Sequence, residues 1–140
     1  MITLTPSPDQ PAFEPCVWLA LDGVNPASVT QELHIGPDVV PPPEVIREIE
    51  AKGGHYSSWI LDTSGHVLTN RLSDHLDWLI ARLAGREEQF SMIAASAARA
   101  EIMVFGARSK WEVDVEAIKA IRARLGVTLA FCVTVITKTV

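Results

Sequence analysis

RLSDHLDWLIARLAG, residues 71–85, is the stretch from which the rest of this 140-residue chain can be read. Leu72, Leu76, Leu79, Ile80 and Leu83 fall at offsets 0, 4, 7, 8 and 11, so their side chains form one apolar stripe at the helical period of 3.6 residues. Ser73 suits the N-cap, Asp74 and Asp77 sit where the helix dipole favours anions, and Gly85 supplies a left-handed residue beyond the last turn. The stretch predicts an amphipathic helix that lays one face on a core.

What that face packs on follows from the segments around it. Residues 55–63, HYSSWILDT, alternate as a strand, with Ser57, Trp59 and Leu61 on one side and Tyr56, Ser58 and Ile60 on the other. Upstream, residues 16–21, CVWLAL, form a short apolar run closed by Asp22-Gly23, which suits a buried strand. Asn25-Pro26 then opens a short helix through Val29 and Leu33 that stops near Gly36-Pro37. After the rigid Pro41 to Pro43 step, residues 44–52 place Val45, Ile46 and Ile49 at helical spacing before Gly53-Gly54.

Downstream of Gly85, residues 86–98 carry Phe90, Ile93, Ala94 and Ala97 on one helical face, as a second helix or a continuation broken at the glycine. Residues 102–105, IMVF, read as a strand and residues 106–110 as a loop. Asp114 caps a third long helix, with Val115, Ile118, Ile121 and Leu125 at helical intervals and Gly126 past its end. Residues 128–136 alternate Leu129, Phe131, Val133 and Val135 against smaller residues, as a strand with one core face does.

About four strands interleaved with helices predict an α+β domain with an antiparallel or mixed sheet and helices packed on one face, of which a ferredoxin-like arrangement is one instance. With 48% hydrophobic and 21% charged residues the chain has the composition of one domain with a real core. Residues 13–140 form that domain, and the proline-broken residues 1–12 form an irregular tail or a covering strand segment.

A net charge of −5 argues against nucleic acid or an anionic membrane as the main partner. The first residues, MITLTPSPDQPAFEP, show no secretory leader, and no run approaches a membrane span of about 18 apolar residues. A cytoplasmic protein is the expectation. Cys16 and Cys132 are read as buried free thiols.

Several pieces in order make up a recognisable pattern: the Asn-Pro helix start, residues 32–38 as ELHIGPD, Trp59, Leu61 and Thr63 in one strand, LSDHLDWLIARL at 72–83, and Leu125-Gly126 leading to Leu129 and Phe131. This resembles the DUF4279 family, small and mainly bacterial proteins, over residues 15–136. The resemblance implies one α+β domain and marks Trp59, His75 and Trp78 as characteristic positions. It supplies no established activity. The chain departs from the family pattern at residues 41–54, where a loop with a basic or glycine-rich stretch would be expected, and at residues 109–113, where a glycine-rich segment would be.

On a helical wheel, Arg71, His75, Trp78 and Arg82 form a second stripe about 100° from the leucines. A tryptophan beside a histidine and two arginines suits a planar or anionic ligand or a protein contact. The packing alternative covers Trp78 with a neighbouring segment and ties His75 to a backbone carbonyl. His34, His55, His66 and His75 are spaced by 21, 11 and 9 residues, without the close pairs of a metal site, and no cofactor motif is present.

Ser73-Asp74-His75 has the letters of a catalytic triad, but adjacent helical residues point apart, and no nucleophile elbow or phosphate loop occurs. Arg108, Lys110 and Trp111 read as a solvent-facing loop, and Trp18 as a sheet residue. No catalytic or metal residue is singled out. The expectation is a non-enzymatic binding protein whose contact residues are Trp59, Arg71, His75, Trp78 and Arg82, meeting a protein partner or a second copy in a homodimer. The alternative is a small-molecule or hydrolytic cleft near His75 and Trp59.

Overall fold

A computed structural model describes residues 2–3, 14–132 and 137–138. In chain order the elements are β1 (Ile2–Thr3), β2 (Cys16–Asp22), α1 (Pro26–Leu33), α2 (Pro43–Ala51), β3 (Ser58–Asp62), α3 (Leu72–Arg82), α4 (Glu87–Ser96), β4 (Arg99–Phe105), α5 (Val115–Leu125), β5 (Thr128–Cys132) and β6 (Thr137–Lys138). β3, β2, β4 and β5 lie side by side in that order, antiparallel except for the β4–β5 pair. The result is the α+β architecture with a mixed sheet. It departs from the ferredoxin-like instance: β3 returns as the direct neighbour of β2, and β4–α5–β5 is an unsplit parallel crossover where that arrangement has split ones.

The register explains the alternation in the sequence. Leu61, Leu19, Ile102 and Leu129 form one cross-strand row, and Val17, Val104 and Phe131 form the next. These rows share a core with Leu33 of α1, Leu72, Leu76 and Leu79 of α3, Phe90 of α4 and Ile121 and Leu125 of α5. Four helices therefore pack on one sheet face. The other face carries half-buried Trp18, Met103 and Phe105, with Trp18 edge-on to Phe105 at 4.9 Å. By contrast, α2 has no buried residue.

Local signals account for the helix ends. Asn25 accepts from the Ser28 amide at 3.2 Å, and Asp114 from the Glu116 amide at 3.0 Å, as capping side chains do. Gly126 closes α5 with φ 69°. Two ends differ from expectation. α1 stops at His34, itself left-handed at φ 57°, two residues before Gly36. α3 starts one residue before Ser73, because the Leu72 amide donates to the Glu112 carbonyl at 2.9 Å and the chain enters the helix from a backbone bridge. Gly85 is left-handed at φ 80°, between α3 and α4.

The N-terminal tail lies outside the described residues except for Ile2–Thr3, which pair antiparallel with Thr137–Lys138. Val133 and Val135 of the last predicted strand also lie outside them. The thiols of Cys16 and Cys132 are free and half-buried, less enclosed than expected.

Gly23 provides a direct check on the packing between the β2 and β4 ends. Its φ is +71°, and a Cβ there would sit 2.6 Å from the Ala98 Cβ. Gly23→Ala is expected to cost about 2–3 kcal/mol, from left-handed strain plus the clash. Gly65→Ala, equally left-handed but with open space around it, should cost only about 1 kcal/mol. Urea unfolding of the two variants measures the difference.

Candidate functional site

The second stripe of α3 divides in the structure. His75 is fully buried. On the wheel it lies about 40° from Leu79, whereas Trp78 is about 100° from it, so the core covers the former and leaves the latter at the edge. Around His75 the hydrogen bonds determine the proton positions. Nε2 lies 2.7 Å from the Thr69 carbonyl oxygen, which can only accept, so Nε2 carries the hydrogen. Nδ1 lies 2.7 Å from the Thr63 hydroxyl, and Thr63 in turn accepts from the Val17 amide at 2.9 Å. Thr63 therefore donates its one proton to Nδ1.

Burial pushes the His75 imidazole below its ordinary pKa, and the Thr69 carbonyl and the Asp74 charge oppose that shift without reversing it. The ring also meets Trp111 edge-on at 5.0 Å. His75 thus joins α3 to the end of β3 and to the first residues of β2, and no reactant can reach it. Trp59 is equally enclosed: it is fully buried, its indole N–H donates to the Thr30 hydroxyl at 3.2 Å, and its ring lies against Phe90. Neither side chain, among the described residues, offers a surface to a ligand.

Trp78 and Arg82 stay together at the surface. The half-buried Trp78 ring stacks with His66 at 4.8 Å and 22°, and the Arg82 guanidinium lies 5.2 Å from the ring centre. Asp38 holds Arg82 by an ion pair at 3.5 Å, with both side chains partly shielded. Asp38 is itself fixed, since its carboxylate accepts from the Asp62 amide and its amide donates to the Ile60 carbonyl. Arg71 stands apart at the start of α3, exposed and paired with Asp74 at 3.3 Å.

His66 and Asp38 were missed in the sequence because neither shares a helical period with Trp78. The turn at Ser64-Gly65-His66 is visible, but nothing in it says which helix it will meet. Leu68, 79% exposed, follows on the same loop.

Burial pushes the Cys16 thiol up to about 11, with the Asp62 carboxylate adding to the shift and the Ser64 hydroxyl opposing it. At neutral pH it is a protonated donor to Asp62 and not a thiolate nucleophile. Among the described residues no three His, Cys, Asp or Glu side chains converge into a group able to hold a metal ion, and no helix is long and apolar enough to cross a membrane.

Comparison with curated proteins and with solved structures found no match. The family model of DUF4279, a domain of unknown function, matches residues 13–135, and the chain belongs to that family.

Proposed function

We propose that this protein is a non-enzymatic, cytoplasmic binding protein of bacterial origin, and that it meets a protein partner through Trp78, His66 and Arg82. The observation that carries the reading is the stacked His66–Trp78 pair, with Arg82 over the same ring and tethered by Asp38. Tryptophan and arginine are the residues most enriched among energetic anchors of interfaces. Rings and guanidinium already held in place lose little freedom on association, which lowers the cost of binding. Leu68, exposed two residues after His66, adds apolar area on the same loop.

Affinity capture from the producing cells, quantified by mass spectrometry, tests the reading alongside light scattering across protein concentration. The wild-type chain is expected to retain one protein partner. Arg82→Ala should weaken that retention about tenfold and Trp78→Ala/Arg82→Ala should abolish it, the magnitude of an interface hot spot. Arg82 is only partly shielded, so its removal leaves the fold in place. Loss of a concentration-dependent dimer in the same variants would identify the partner as a second copy. Unchanged retention and unchanged mass in both variants would remove the proposal.

A further inference from the structure

The structure holds a second feature, separate from the Trp78 surface. Between α2, the start of α1 and the approach to β3 lies an open cleft of about 640 Å³, within the range of small-ligand sites. Val24, Pro26 and Ile46 supply apolar wall, while Glu50, His55 and Tyr56 bring polar groups to the same space. One wall is α2, the helix with no buried residue, and Val45 on it remains 40% exposed. The helix is amphipathic, and of its apolar residues Ile46 lines the cleft.

The charge of the lining selects the ligand. Glu50 is a carboxylate, and among the described residues none that lines the cleft is lysine or arginine. Asp22 adds negative charge near this end of the sheet. It is also the acceptor for Ser58 at 2.7 Å and a loose partner of Arg99 at 3.9 Å. Burial and the Asp22 charge raise the Tyr56 phenol above its ordinary range, so it stays neutral, and Tyr56 lines the cleft as a neutral aromatic residue. An anionic ligand would meet Glu50 with no lysine or arginine in the lining to offset it, and a purely apolar one would leave the carboxylate facing it.

We propose that this cleft binds a small amphipathic cation, a protonated amine on an apolar body, with the ammonium group at Glu50 and Tyr56 and the body along Val24, Pro26 and Ile46. The site shares no residue with the His66–Trp78–Arg82 cluster and does not depend on that cluster's function.

The test uses three probes of equal length, hexylamine, hexanol and hexanoate, titrated into the 15N-labelled full chain. Hexylamine is expected to shift the Val24, Glu50 and Ser57 amide signals saturably. Hexanol and hexanoate should bind about two- to fivefold more weakly, as loss of one partly exposed charge pair predicts. Glu50→Gln, on an exposed helix position, should weaken hexylamine by the same factor. Glu48→Gln, whose carboxylate pairs with Lys52 and does not line the cleft, should leave it unchanged. No saturable shift with hexylamine, equal binding of hexanoate or hexanol, or an affinity untouched by Glu50→Gln would each overturn the proposal.

Discussion

Replacing His75 by alanine should lower the unfolding free energy by about 3–4 kcal/mol, through a cavity in the core and the loss of the ring partner of one buried and one part-buried polar group. Those groups are the Thr63 hydroxyl and the Thr69 carbonyl, each 2.7 Å from a ring nitrogen in the native chain. A drop of that size is a large share of the roughly 5–15 kcal/mol typical of a domain. Urea unfolding at neutral pH measures it as a fall in midpoint.

The same residue gives a pH signature. Its pKa is lowered in the folded state by burial, so the unfolded chain binds the proton more readily and stability rises with pH. That contribution is complete above the unfolded imidazole value of about 6.5 and is lost as pH falls through it toward the lower folded value. Protonation would put a second donor on the ring facing Thr63, whose oxygen already accepts the Val17 amide. Subtracting the pH profile of the His75→Ala variant from that of the wild type isolates this slope. A variant as stable as the wild type, or an unchanged slope, would show that His75 is not the strut described.

Trp59→Ala should be at least as damaging, at about 3–5 kcal/mol, because it empties a fully enclosed volume against Phe90 and leaves the Thr30 hydroxyl without its donor. Trp59→Phe keeps most of the packing and should cost about 1–2 kcal/mol. Thermal unfolding followed by circular dichroism separates the two. Partner capture by Trp59→Phe should match the wild type. A loss of binding in a stable Trp59→Phe protein would return that residue to the contact site and contradict its assignment to the core.

Much of the fold was legible because single segments carried complete signals. α3 and α5 each showed a period and acidic residues in the first turn, and α5 also its cap in Asp114 and its stop in Gly126. The strands at Cys16–Asp22 and Ser58–Asp62 showed their apolar side chains and their bounding turns. Strand order was not legible, because Leu19 pairs with both Leu61 and Ile102 and no local pattern ranks those neighbours.

The α3 stripe shows the same division. Periodicity found Arg71, His75, Trp78 and Arg82, but membership of a stripe does not say where the core boundary falls, and the boundary runs between His75 and Trp78. The partners that complete each half come from elsewhere in the chain: Thr63 for His75, and His66 and Asp38 for Trp78 and Arg82. The cleft beside α2 joins residues near 24, 46 and 56, and only the tertiary structure brings them together.

Site-specific photo-crosslinking in the producing cells shows which face of the protein meets its partner. A benzoylphenylalanine replaces Leu68, 79% exposed beside the Trp78 cluster, or in parallel Met92, 69% exposed on α4. The contact surface described above predicts a discrete protein adduct from position 68, lost when Trp78→Ala/Arg82→Ala is added, and none from position 92. No adduct from position 68, or the same adduct from position 92, would place the contact elsewhere and contradict the account.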